Sequence, residues 1–160
     1  MQKDPNARGV GWLLVAVLLV ILDSVLKWQA IGKLPLASSV LPDGLFGLGL
    51  YKNPGVLFSL ELPYAVLIPF SIVLLTILTF LGLRAWSSSP RLAAGALITC
   101  AGAIGNFLDR LFNGFTTDYL LFHPTGAAFN LSDLVIFVGI VLLCTAPHPK
   151  DPHIPLDKGR

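Results

Sequence analysis

Four runs of mainly apolar residues, at about 10–28, 64–83, 92–110 and 130–146, alternate with mixed segments at about 29–63 and 111–129. A helix crosses a ~30 Å hydrocarbon core in ~20 predominantly apolar residues, so each run predicts a membrane-spanning helix. Little chain remains for a separate soluble unit. The pattern therefore predicts one multi-pass membrane domain over residues 1–160, an all-α bundle of four transmembrane helices.

The polar positions inside these runs are few, and their spacing is informative. Asp23 and Lys27 lie at i, i+4 in the first run, so they can pair with each other. In the third run the small residues Gly95, Thr99, Gly102 and Ala103 permit close helix approach in lipid. Asn106, Asp109 and Arg110 then follow at i, i+3 and i+4, on one helical face that should turn toward the bundle. The simplest account has Asp109 or Asp118 neutralising Arg110 while Asn106 bonds a neighbouring helix. The fourth run opens with "FNLSD", where Asn130 suits an N-cap and Asp133 the reciprocal position of a capping box. Capping explains Asp133 alone, but not the gathering of Asn106, Arg110, Asp118, Asn130 and Asp133 at one membrane face. Carboxylates where apolar segments meet water are costly, and Asp118 and Asp133 form a candidate functional pair.

Segment 29–63 carries more than a linker needs. "SSVLPDGLFGLGLYKN" has Pro-Asp-Gly turn chemistry and suits a short interfacial hairpin. "NPGVLFSLEL" predicts a tight turn at Asn53, Pro54 and Gly55, then an amphipathic piece with Val56, Leu57, Phe58 and Leu60 resting on the membrane. A plain connecting loop is the alternative.

Composition agrees with the membrane assignment: 54% of residues are hydrophobic and 12% charged, about half the ~25% charged share of soluble domains. Lys3 and Arg8 precede the first apolar run as in a cleaved signal peptide, yet the run continues through Asp23 and Lys27 with no small-residue cleavage site, which predicts a retained helix. Basic residues favour the cytoplasmic side. Placing both termini inside puts Lys3, Arg8, Arg84, Arg91, Lys150, Lys158 and Arg160 there, against Lys27, Lys33, Lys52 and Arg110 outside. Segments 29–63 and 108–130 then face outward, with both aspartates. Cys100 and Cys144 fall within apolar runs and predict neither disulfide nor metal site. His123, His148 and His153 lack metal-ligand spacing. The Pro- and charge-rich tail, about 147–160, is expected to be disordered in the cytoplasm.

Taken together, "LDSVLK", "NPGVLFSL", "GNFLDR" followed after seven residues by "DY", and "FNLSD" closely resemble, in order and spacing, the bacterial lipoprotein signal peptidases, or type II signal peptidases. The resemblance covers the chain. It implies an aspartic endopeptidase of the bacterial cytoplasmic (inner) membrane that cleaves signal peptides from diacylglyceryl-modified prolipoproteins, before the lipidated cysteine. The chain is expected to need no cofactor or metal, to meet membrane lipid and no nucleic acid, and to be monomeric. By position, Asp118 and Asp133 match the catalytic pair. Asn53, Gly55, Asn106, Asp109, Arg110 and Asn130 match the polar residues around it, and Asp23 and Lys27 the first-helix motif. The resemblance also implies a small extracytoplasmic β-cradle, from about 29–63 and 111–129, with a short interfacial helix. Thr116, Thr117, Tyr119, Ser132 and Leu26 depart from the usual residues without removing an essential group.

Peptide hydrolysis needs a base to activate water and an acid for the carbonyl and the leaving amine, and two close carboxyls sharing one proton supply both. Asp133, near a helix N-terminus, is expected to favour the charged form, with Asp118 protonated. Val56–Leu60 and the Asn53 turn are expected to act as a lid. Two other readings remain: a transporter or proton-conducting bundle, which would spread polar groups through the membrane depth, and a noncatalytic scaffold.

Overall fold

The first helix, α1 (Pro5–Lys33), buries every seventh residue, Gly9, Ala16, Asp23 and Ala30, with Lys27 one turn beyond Asp23. A seven-residue repeat keeps one narrow seam of a helix against its neighbours, as in a left-handed bundle. All other faces of α1 present large apolar side chains outward. The seam is thus small or polar while the exterior is oily, the arrangement expected in lipid.

In a computed structural model the described residues are 5–39, 43–55 and 63–146. Among them, α1 leads through a 3-10 turn (Ala37–Ser39) to strand β1 (Phe46–Asn53), then helices α2 (Tyr64–Ala85) and α3 (Pro90–Asn113). Strands β2 (Thr116–Phe122) and β3 (Ala127–Phe129) precede helix α4 (Leu131–Cys144). The strands form one antiparallel sheet in the order β1-β2-β3. The protein is thus mostly helical with a small sheet, rather than purely α. The expected interfacial piece Val56–Leu60 and the tail 147–160 lie outside the described residues.

Helix α3 occupies the centre, packing against α1, α2 and α4. A side chain at Gly139 of α4 would place its Cβ 2.5 Å from the Thr99 backbone nitrogen, and one at Gly102 2.6 Å from the Ser132 carbonyl oxygen. The two backbones are therefore in van der Waals contact, which only small residues allow. Ala16, Ile98, Ala101 and Val135 complete the apolar core where α1, α3 and α4 meet. α3 ends at Gly114, which is left-handed (φ 76°) and returns its N–H to the Arg110 carbonyl, turning the chain into β2.

Among the described residues, three helical stretches are long and apolar enough to cross a membrane: Gly9–Lys33, Ala65–Ala85 and Pro90–Asn113. The fourth expected run forms α4, within two residues of its expected bounds but shorter than those three stretches. α4 has 14 residues, about 21 Å at 1.5 Å per residue. Its N-terminus is fixed at Asn130, where the chain leaves β3.

Candidate active site

Sheet register brings the first carboxylate between two amides. β2 is the central strand, pairing Asn53 of β1 with Thr116 and Phe129 of β3 with Leu120. Asn53 and Asn130, at the ends of the flanking strands, therefore reach Asp118 from both sides. Asn53 Nδ2 donates to Asp118 Oδ2 at 2.9 Å, and Asn130 Nδ2 donates to Oδ1 at 2.6 Å. Each amide is oriented by a backbone N–H on its oxygen: Gly55 N–H to Asn53 Oδ1 and Asp133 N–H to Asn130 Oδ1. Asp118 is 1% exposed. Burial, with the Asp133 charge adding to it, pushes its pKa up to about 6, although the Asn53 and Asn130 donors pull the other way.

The second carboxylate belongs to the helix terminus. Asn130 caps α4 and Asp133 completes a capping box, its Oδ2 accepting the Asn130 backbone N–H at 3.1 Å. Oδ1 of Asp133 accepts from Asn106 Nδ2 at 2.8 Å. Asn130 thus touches both carboxyls, one through its side-chain amide and the other through its backbone. Asp133 lies in the first turn of α4, at its N-terminal end.

Behind the pair lies a buried ionic network. Lys27 Nζ sits 2.8 Å from Asp23 Oδ2 and 3.6 Å from Asp109 Oδ2, and donates to Asn106 Oδ1 at 2.8 Å. Asp23 Oδ1 accepts the Ser132 N–H, and Asp109 accepts from the Thr117 N–H and hydroxyl and from Asn113. Every helix of the site is tied to another by these bonds. Buried charges survive only when paired and bonded in this way.

A family model for signal peptidase (SPase) II matches residues 15–147. The chain belongs to that family. It is 30% identical to the lipoprotein signal peptidase of Shewanella amazonensis, over 89% of this chain and 90% of that protein. It is 33% identical to the lipoprotein signal peptidase of Brucella abortus, over 85% and 89% respectively. A bacterial membrane enzyme solved by the in meso method superposes with a TM-score of 0.74 at 22% identity, covering 83% of this chain and 84% of that one. A second such enzyme gives 0.66 at 20%, covering 84% and 90%. These two share the fold seen here.

Asp23, Lys27, Asn53, Asn106, Asp109, Asp118, Asn130 and Asp133 form one continuous set of bonds at one end of the bundle. Arg110 donates to the Gly55 carbonyl at 3.4 Å, bridging α3 to the turn after β1. Asp109 faces Lys27, Thr117 and Asn113. Two contributors were not singled out as functional. Thr117 holds Asp109, and the Tyr119 hydroxyl accepts the Leu131 N–H at 3.1 Å at the start of α4. Burial pushes the Tyr119 hydroxyl up to about 12, so it remains neutral. A sequence signal existed for both: they immediately flank Asp118.

Proposed function

We propose that the protein removes signal peptides from diacylglyceryl-modified prolipoproteins as an aspartic endopeptidase, with Asp118 and Asp133 as its acid and base. The observation that carries this reading is Asn130 joining both carboxyls. Family membership supports the substrate class. In the resting state Asp133 is the carboxylate that draws a proton from water. Asp118 carries the proton that passes to the scissile carbonyl oxygen, and the pair then protonates the leaving amine. Asp118's near-complete burial and a pKa raised to about 6 support this division at and below that pH, as does the position of Asp133 at a helix N-terminus.

The same reading puts the protein in the bacterial inner membrane with four spans, both termini cytoplasmic and the site toward the outer face. Asn53, Gly55 and Arg110 belong to the rim that a substrate would meet, and the protein acts as a monomer without cofactor. The test is cleavage of a diacylglyceryl-modified prolipoprotein by the purified protein in detergent. Asp118→Asn and Asp133→Asn should each lower kcat by at least about 10³-fold, within the range for loss of acid–base catalysis. Retention of wild-type turnover by either variant would sink the aspartic mechanism.

A further inference from the structure

An ammonium group has only donors, and Lys27 is 3% exposed with three acceptors around it: Asp23, Asp109 and the side-chain oxygen of Asn106. Asn106 therefore cannot turn its NH2 toward Lys27. Its oxygen is fixed on the cation and its NH2 on Asp133 Oδ1. A donor fixed in that direction is satisfied by a carboxylate oxygen and repelled by a carboxylic O–H. The remaining Asp133 oxygen already accepts a backbone N–H. Asp118, by contrast, accepts from two amides oriented by backbone N–H groups; Arg110 bonds the Gly55 carbonyl on the Asn53 side, and the Lys27 charge reaches Asp118 only through space, as the weakest influence on it.

We infer that Lys27 is a positioning residue that acts through Asn106 to hold Asp133 as the carboxylate, leaving the shared proton on Asp118. The inference rests on the peptidase reading above and gives the first-helix motif a part in proton placement, beyond tying α1 to α3. The cation polarises the amide, strengthening the bond that Asn106 donates. Charged or titratable groups that could oppose or assist are Asp23 from α1, Asp109 and Arg110 from α3, and Asp118 and Tyr119 from β2. Asp23 and Asp109 are engaged with Lys27 itself, and Tyr119 stays neutral in the working range. Lys27 is thus the one cation in direct hydrogen-bond contact with Asn106 among the described residues.

The test is the pH dependence of kcat and KM for prolipoprotein cleavage. Lys27→Met is made together with Asp23→Asn, so that no bare carboxylate is buried; Asp109 keeps Thr117 and Asn113. The double variant should lower kcat about 10- to 100-fold with KM within about twofold, and move the acid limb upward by about one pH unit. Lys27→Arg, which keeps a donor-only cation, should retain the wild-type acid limb. Asn106→Leu cuts the relay while leaving both ion pairs of Lys27, and should show the same upward movement. It decides the question if the double variant does not fold. An acid limb unchanged in Asn106→Leu overturns the inference, as does one unchanged in a folded double variant. If Asp118→Asn or Asp133→Asn retained cleavage, the peptidase mechanism would fall first, a result distinguishable from either of these.

Discussion

Helices α2 and α3 are close in length, yet they are built in opposite ways. In α2, Phe70, Ile72, Val73, Ile77, Phe80 and Leu83 are all exposed, and burial is confined to a seam of Leu67, Leu78, Gly82 and Ala85. In α3, the less apolar helix, Ala93–Ala96, Ile98–Gly102, Gly105, Asn106 and Asp109 are buried. Hydrophobicity therefore does not mark the interior of this molecule. With lipid tails outside, the centre goes to the helix that can bring backbones together and satisfy polar groups. The site is located where α3 carries both properties, small residues along its length and Asn106 and Asp109 at its end.

The sharpest way to break that contrast is at the backbone contact. Gly139→Leu drives a side chain into the Thr99 backbone, and should cost at least about 3 kcal/mol, at the upper end of overpacking effects. Thermal unfolding in detergent measures it, and a variant as stable as the wild type would mean the helices do not touch as described. Next in size is a pH effect at Asp118. Its folded pKa of about 6 lies above its ordinary value near 3.8, so the folded state favours the proton. The resulting stability is present below about pH 4 and is lost as pH rises through 6. From pH 4 to 7 the wild type should lose on the order of 2 kcal/mol relative to Asp118→Asn. Paired unfolding curves at the two pH values check this, and parallel behaviour would contradict it.

Smaller effects sharpen the same comparison. Tyr119→Phe leaves the Leu131 N–H without its acceptor and should lower stability by about 1 kcal/mol, with a measurable loss of amide-exchange protection at the start of α4. Phe80→Leu, on the outward face of α2 where Phe80 is 63% exposed, should change stability by less than about 0.5 kcal/mol. A larger loss there would mean that this face is covered by protein.

Local chemistry was the part most readable in the chain. The Asn130–Asp133 capping box and the Asp23–Lys27 pair depend on residues three and four apart, and both bonds form. The third apolar run extended to Pro90–Asn113 and the first to Pro5–Lys33, because helices in lipid continue until a backbone signal stops them. Non-local placement was less readable. Asn53 meets Asp118 through strand register, 65 residues apart, and no periodicity carries that information. Arg110 and Asp109, adjacent in sequence, point to different elements: one to Gly55, the other to Lys27 and Thr117. The bounds of α4, by contrast, were legible, because the Asn130 cap marks its start and Leu131–Cys144 lies within two residues of the apolar run 130–146.

The shortness of α4 has a consequence for the surrounding bilayer. A 14-residue helix falls roughly 9 Å short of a ~30 Å oily layer, so for α4 to span as the proposed four-helix topology requires, the acyl chains beside it would have to tilt or compress.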